Sequence, residues 1–170
     1  MQYVFTKIKC LFFTSFFLIA FSSLNAQSLF EEVEESSIPI TSKRYTIPAS
    51  FKSFAIDLPA LLNFVELAPE EFSVDIRNSS VTLSLPMPDG SMQDFFIVKS
   101  AIMPADLSAK YPSIHSYLAQ GLDDASATAR ISISNNGFHA MIISSSGTTY
   151  IDPFSINNSS HCIVYNKKDF

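Results

Sequence analysis

Apolar and polar residues alternate most regularly over residues 127–152, and this alternation predicts three antiparallel strands joined by two tight turns. Apolar side chains occupy every second position of the first strand, at Ala127, Ala129, Ile131 and Ile133. Asn136 and Gly137 predict a type I′ hairpin turn, because both residue types tolerate positive φ. This turn would place Ile133 opposite Ala140, so that one face is apolar across both strands. Gly147 marks the second turn.

Further strands are predicted on both sides of this unit, at residues 54–56, 81–85, 95–98, 114–119 and 161–165. The four residues at 95–98 are apolar on both sides, which is typical of a central strand. Gly90 and Gly121 mark the turns that follow the strands at 81–85 and 114–119, since glycine tolerates positive φ.

Two short helices are predicted among the strands. In the first, Leu58, Leu61 and Val65 follow helical spacing and predict one buried face. Asp57 is placed to cap this helix, and Pro69 ends it. The second helix, at residues 104–110, is opened by one proline and stopped by the next. Together these elements predict an α+β fold, a mostly antiparallel β-sheet in meander order with two short helices packed on it.

Residues 27–50 differ from the rest of the chain, with four glutamates close together, a serine-rich stretch and two prolines. Clustered glutamates repel one another and favour an extended chain. We therefore expect a loosely held acidic N-terminal arm, followed by a β-rich domain at residues 51–170. The alternative is a short helix in the arm, because Leu29, Phe30 and Val33 lie near helical spacing.

Residues 1–26 have the features of a secretory signal peptide. Lys7 and Lys9 precede an apolar stretch that is too short for a bilayer span of roughly 20 residues. Small and polar residues then lead to a cleavage point between Ala26 and Gln27. The sequence thus predicts export to the periplasm or the extracellular medium, with no membrane attachment after cleavage. An uncleaved N-terminal anchor is the alternative.

Charge and cysteine content narrow the class of protein. The 170 residues carry a net charge of −5, and loss of the signal peptide removes two of the eleven basic residues, which takes the net charge to −7. We expect no nucleic-acid partner, because phosphate binding needs a clustered basic face and the sequence has no basic cluster. The mature chain would keep one cysteine, Cys162, so packing rather than an internal disulfide must stabilise it.

The sequence carries no familiar catalytic motif. His115, His139 and His161 lie in predicted strands, and none has a second histidine four residues later, as a zinc-binding HExxH helix requires. We expect His139 at the surface, paired with Ser134 across the hairpin. No catalytic residue, cofactor site or metal site is predicted. An enzyme that uses Cys162 or a pair of carboxylates is the least favoured alternative.

The order of residues from position 111 onward resembles the second half of the prodomain of reprolysin-type (adamalysin) zinc metallopeptidases. That half runs through an aromatic-rich strand, a glycine, a serine-containing strand, a glycine turn, an aliphatic strand and a Y-x-I-E-P-like segment. The matching residues are Ile114, Tyr117, Gly121, Ser126, Arg130, Ile131, Ser132, Gly137, Phe138, Ala140, Ile142, Gly147, Tyr150, Ile151, Asp152 and Pro153. Upstream, residues 85–90, Phe95, Met103 and Tyr111-Pro112 are similar to the secreted bacterial version, so the resemblance covers residues 51–169.

The resemblance implies an exported, non-catalytic module that assists the folding of a zinc metallopeptidase and inhibits it until it is cleaved away. The implied partner is the catalytic domain, in cis or in trans. Two features depart from animal prodomains: Asn135 and Asn136 stand where those carry a cysteine, and no cysteine-switch segment occurs. The chain is either a prodomain encoded alone or the front of a longer precursor.

Without a cysteine switch, inhibition is expected by surface occlusion, in which the sheet and the segment after Pro153 cover the protease cleft. The competing hypothesis is that the Cys162 thiol caps the catalytic zinc at its open position. Its place in a short apolar strand argues against this. The alternative function is a free-standing, β-rich secreted or envelope interaction protein that has no role in proteolysis.

Overall fold

The computed structural model describes residues 28–100 and 102–170. The predicted signal peptide, with its cleavage point at Ala26 and Gln27, lies outside the described residues. Within the described ranges, no helix has the length and apolar character needed to cross a bilayer.

Within residues 28–100 and 102–170, nine antiparallel strands form one sheet and two short helices accompany it, which confirms the predicted α+β fold class. The strands are β1 (Phe30–Val33), β2 (Lys52–Ile56), β3 (Thr82–Pro86), β4 (Met92–Lys99), β5 (His115–Gly121), β6 (Thr128–Ser134), β7 (Gly137–Ser144), β8 (Gly147–Pro153) and β9 (His161–Asn166). The helices are α1 (Leu58–Val65) and α2 (Ala105–Lys110).

The sheet is a meander that curls until its two edges approach each other. Strands β3 to β9 follow one another in order, and β2 and then β1 extend the sheet beside β9. Phe30 of β1 packs edge-on against Phe138 of β7, with ring centroids 5.3 Å apart. A Cβ on Gly90, in the β3–β4 turn, would lie 2.9 Å from the Glu32 carboxylate of β1. The molecule is therefore a nearly closed barrel.

The concave face encloses the main hydrophobic core, because alternate residues of each strand point inward. Its buried members include Phe54, Leu83, Leu85, Phe95, Ile97, Ile133 and Ile142. Helix α1 adds Leu61 and Val65 to this core and closes one end of the barrel. As predicted, Asp57 caps α1, since its Oδ1 accepts a hydrogen bond from the Ala60 amide at 3.0 Å. Helix α2, in contrast, has no buried residue.

The β6–β7 turn differs from the prediction in both type and register. Ser134 pairs with Gly137 and Ile133 with Phe138, a shift of two residues from the predicted pairing of Ile133 with Ala140. Gly137 has a positive φ of +114° and Asn136 does not, which fits a type I turn followed by a glycine bulge rather than a type I′ turn. Because side chains alternate with a period of two, the predicted inner and outer faces are unchanged.

The other predicted turn glycines divide into two kinds. Gly90 and Gly147 have positive φ, +88° and +128°, and each ends a tight hairpin turn. Gly121 is instead the last residue of β5 and does not have positive φ. A Cβ there would collide with the Asp124 carbonyl oxygen and lie 3.0 Å from the Ala127 Cβ. Close approach of the backbone, and not turn conformation, therefore requires this glycine.

Residues 28–50 are neither the loosely held arm nor the short helix that the sequence suggested. Phe30–Val33 forms strand β1, and Phe30 lies in the main core. Repulsion among the glutamates is offset by cations from later in the chain: Lys52 Nζ lies 2.6 Å from Glu32, and Arg44 Nη1 lies 2.5 Å from Glu35. The two cations lie nine and 20 residues further along the chain than their glutamates, so the local charge pattern did not reveal these pairs.

The rest of the arm packs on the convex side of the sheet. Ile38 is buried against Phe154, Ile163 and Tyr165, which form a second hydrophobic cluster outside the barrel. The Arg44 guanidinium stacks over the Phe154 ring, 4.5 Å from its centroid. We call this region, where residues 34–50 lie over β9 and its neighbours, the covered outer face.

Candidate functional site

The convex side of β5 to β8 carries a row of polar side chains, and we call it the bare outer face. Ser116 of β5 is opposite Ser132 of β6, and Ser132 is opposite His139 of β7. Asp152 of β8 continues the row beside His139. The expected partner of His139 was Ser134, and the two-residue shift in register puts Ser132 there instead. His139 is at the surface as predicted, with 46% of its side chain exposed.

A hydrogen-bonded chain joins His139, Asp152 and Tyr165 where the bare and covered outer faces meet. His139 Nδ1 lies 2.9 Å from Asp152 Oδ1, and the Tyr165 hydroxyl donates to Asp152 Oδ2 at 2.7 Å. Burial would raise the pKa of the Asp152 carboxyl, but the hydrogen bonds from His139 and Tyr165 outweigh burial and hold the pKa below its usual 3.8. Asp152 is therefore ionised at neutral pH, and His139 carries a proton on Nδ1.

Two cavities flank this chain of hydrogen bonds. The first, which we call the outer groove, has a volume of about 440 Å³ and is lined by Ile102, Arg130, Ser132, Met141 and Tyr150 among others. The second, the arm pocket, has a volume of about 310 Å³ and is lined by residues 45–46, Pro153 and residues 155–157 among others. His139 and Asp152 line both cavities, so the imidazole stands at the wall between them.

Ser132, His139 and Asp152 follow one another as the members of a serine-hydrolase triad do, but the described side chains do not complete such a triad. Among the described residues no hydrogen bond joins the Ser132 hydroxyl to the His139 imidazole, so the contact between nucleophile and base is missing. The groove does offer a fixed imidazole, a hydroxyl and the Arg130 guanidinium beside apolar walls. These groups are suited to holding a polar ligand group rather than to acyl transfer.

A second cluster of titratable groups lies at the barrel end that α1 closes. Glu66, directly after α1, has carboxylate oxygens 2.9 Å from His115 Nδ1 and 3.3 Å from Lys99 Nζ. Tyr117 also bonds to Glu66, and burial together with this carboxylate raises the pKa of the Tyr117 hydroxyl. These four side chains line a cavity of about 230 Å³, which we call the end cavity.

Exposed apolar side chains lie on two segments that flank the end cavity, residues 67–74 and 102–114. Both segments are anchored at the strand ends, since the Lys99 amide donates to the Pro69 carbonyl and the Ser100 amide to the Ser116 carbonyl. The seven exposed side chains are Leu67, Phe72, Val74, Ile102, Leu107, Tyr111 and Ile114. We call this set the apolar end surface.

Phe72 is the most exposed of these residues, at 86%, and its φ is +68°. A left-handed conformation is uncommon for a side chain of this size and costs of order 1–3 kcal/mol. The adjacent Glu71 is held to β4 by a backbone hydrogen bond of 2.8 Å to the Lys99 carbonyl. The structure thus maintains a strained backbone that presents an aromatic ring to solvent.

The candidate zinc-capping thiol is enclosed within the barrel. Cys162 is 0% exposed and lies on β9 between Phe54 of β2 and Pro153 of β8. Burial raises the pKa of the thiol above its ordinary value of 9.0, so the thiolate that zinc requires does not form. Capping a zinc ion would require β9 to leave the middle of the sheet. In the part of the chain that the structure describes, no three His, Cys, Asp or Glu side chains gather as a metal site.

Sequence reasoning missed the link between His139, Asp152 and Tyr165, whose side chains meet across two strand pairings. The pairing of Ser144 with Gly147 at the β7–β8 turn sets a register in which His139 falls beside Asp152. The sequence predicts the turn at Gly147, and counting strand pairs outward from this turn would place His139 beside Asp152. The apolar end surface had no such signal, because exposed and buried leucines look alike in a sequence.

No protein-family model, no curated protein and no solved structure matches this chain. The apolar end surface and the outer groove are two regions that present side chains suited to binding.

Proposed function

We propose that this protein is an exported, non-catalytic module of the prodomain type, which binds a folded zinc metallopeptidase catalytic domain in cis or in trans. It assists the folding of that domain and keeps it inactive until the two are separated by cleavage. Export rests on the signal-peptide features of residues 1–26. The choice of partner rests on the resemblance of residues 51–169 to reprolysin-type prodomains.

The observation that carries the proposal is the apolar end surface. Soluble proteins seldom expose large apolar side chains side by side unless the patch meets a partner. Phe72 and Ile102, which are 86% and 70% exposed, come from the two different segments that flank the end cavity. Charged groups accompany these side chains: Glu70 belongs to the first segment, and Lys99 Nζ lies within 3.4 Å of both Glu66 and Glu70. Exposed apolar side chains together with charged groups are the components of a protein–protein interface.

Binding through this surface accounts for both parts of the proposed function. A module that binds the folded protease and not the unfolded chain stabilises the folded state by mass action, and so assists folding. The same contact inhibits the protease if the apolar end surface lies over the cleft. The segment after Pro153 is a poor choice for this covering role, because Phe154 and Ser155 are already buried within the module.

Inhibition in this account does not use the Cys162 thiol. The thiol is fully buried, so a variant without it should inhibit as well as the natural protein. Cys162→Ala is the preferred variant, because alanine adds no hydroxyl to the core and leaves the exterior unchanged. Loss of inhibition in a folded Cys162→Ala protein would instead support the zinc-capping hypothesis.

The direct test mixes a reprolysin-like catalytic domain with the purified protein and measures the inhibition constant. The double variant Phe72→Ser, Ile102→Ser should weaken inhibition by at least about tenfold, equivalent to 1.4 kcal/mol. The matched control is Ile40→Ser, Ile47→Ser, which removes two apolar residues that are 79% and 70% exposed on the arm. The control should inhibit like the natural protein.

Equal weakening by both double variants would contradict a role for the apolar end surface. Absence of binding by the natural protein would overturn the protease partner altogether. The free-standing interaction protein would then be the better account, with the same surface directed to another partner.

A further inference from the structure

The outer groove holds a cation in apolar surroundings. Arg130 of β6 is exposed, and its cross-strand neighbours are Leu118 of β5 and Met141 of β7. Among the described residues, Arg130 makes no ion pair with a carboxylate. A guanidinium in this position can bind an incoming carboxylate through two parallel hydrogen bonds.

The acidic residue that lines the groove is already satisfied. Asp152 accepts hydrogen bonds on both carboxylate oxygens, one from His139 and one from Tyr165. The His139 ring therefore has Nδ1 engaged with Asp152, and its Nε2 remains for a ligand. Ser132 follows Arg130 on the same face of β6 and lies directly opposite His139 of β7. Its hydroxyl can donate a further hydrogen bond.

The rest of the groove is apolar. Ile102, Met141 and Tyr150 form its walls, and its volume of about 440 Å³ lies in the range of sites for small ligands. An inorganic phosphate would leave these walls in contact with water. A ligand that combines an anionic group with an apolar one would use both parts of the groove.

We propose that the outer groove binds a carboxylate that carries an apolar group, with Arg130 and Ser132 holding the carboxylate and Met141 and Tyr150 contacting the apolar part. The shared chemistry occurs in free organic acids and at the C-terminus of a peptide that ends in an apolar residue. This inference does not depend on the proposed function, because the outer groove and the apolar end surface use different strands and loops, apart from Ile102.

The test uses four probes: 4-phenylbutyrate, 4-phenylbutyramide, and an acetylated Ala-Phe dipeptide with either a free or an amidated C-terminus. Each is titrated into the ¹⁵N-labelled protein while amide shifts are followed by NMR. Both acids should bind at least about tenfold more tightly than their amides. The shifts should concentrate on β6, β7 and β8. Tighter binding of the dipeptide acid would identify a peptide terminus as the source, and tighter binding of phenylbutyrate a free organic acid.

Arg130→Gln should weaken both acids by about tenfold and leave the amides unchanged. Lys168→Gln removes the same charge from an exposed position at the C-terminal end and should change neither. Thermal unfolding checks that each variant is folded. Equal affinities for acids and amides, an unchanged affinity in Arg130→Gln, or no shift with any probe at about 10 mM would each overturn the proposal.

Discussion

The covered and bare outer faces lie side by side on one sheet, and they differ in what the strands place outward. All four residues at positions 162–165 of β9 are buried, with Cys162 and Val164 in the barrel core and Ile163 and Tyr165 in the outer cluster. In β6 the buried residues alternate with partly or fully exposed ones. A strand that is apolar on both faces must be packed against other residues on both of them. Residues 34–50 pack against the outer face of β9. The comparison teaches that the arm belongs to the fold, while the uncovered surfaces remain free for binding.

The largest expected effect is a difference in the free energy of unfolding between substitutions on the covered and on the bare outer face. Phe154→Ala removes an aromatic ring that is 1% exposed in the outer cluster, and should lower the free energy of unfolding by about 3–5 kcal/mol. Met141→Ala removes a half-buried side chain from the bare outer face and should lower it by less than about 1 kcal/mol. Urea unfolding measures both changes. Similar small losses would mean that the arm does not pack as described.

A smaller effect compares two hairpin turns at the ends of β7. Valine at Gly147 has to adopt positive φ but meets no atom within 4 Å, so Gly147→Val should cost about 1–2 kcal/mol. At Gly137 the Cβ would also lie 2.9 Å from Pro153 Cγ and 3.0 Å from the Asn158 carbonyl oxygen. Gly137→Val should therefore cost about 2–4 kcal/mol. If thermal unfolding ranks the two variants in the opposite order, the contact between the β6–β7 turn and residues 153–158 is wrong.

The smallest effect concerns the carboxylate at the boundary of the two faces. The pKa of Asp152 lies below its unfolded value of 3.8, so its contribution to stability is complete above that pH and is lost as the pH falls through the lower, folded-state pKa. Asp152→Asn should cost about 1–2 kcal/mol at neutral pH. The difference from the natural protein should shrink as the pH is lowered below 3.8.

Urea unfolding at several pH values follows this difference, and Tyr165→Phe provides the control. That variant keeps the carboxylate and removes one donor to it, so it should retain a pH-dependent loss of smaller size, about 1 kcal/mol at neutral pH. A difference between Asp152→Asn and the natural protein that stays constant down to about pH 2.5 would show that the carboxylate gains nothing from its partners.

The sequence predicted the local elements well, because local elements depend on local patterns. The alternation around Ile131 and Ile133 correctly predicted which side chains face inward. The predicted register was wrong by two residues, and a shift of two leaves every side chain on the same face. Helix α1 was predicted with its cap at Asp57, since capping involves residues three apart. Cys162 was placed in a short apolar strand from the residues beside it, and the structure buries its thiol there.

What the sequence could not reveal were contacts between distant segments. The clustered charges of Glu32 and Glu35 predicted a loosely held arm. In the structure these two glutamates form ion pairs with Lys52 and Arg44. Phe72 combines 86% exposure with a left-handed backbone, which no local rule predicts for phenylalanine. The candidate binding surfaces are made of such features, so they emerged from the structure rather than from the pattern of residues.

The central claim is that the arm is structural and that the apolar end surface binds the partner. Hydrogen–deuterium exchange of the protein with and without a reprolysin-like catalytic domain tests it most directly. Amides of residues 67–74 and 102–114 should exchange more slowly in the complex, and those of residues 34–50 should be unchanged. Protection confined to residues 34–50, with no change at residues 67–74 and 102–114, would contradict the account.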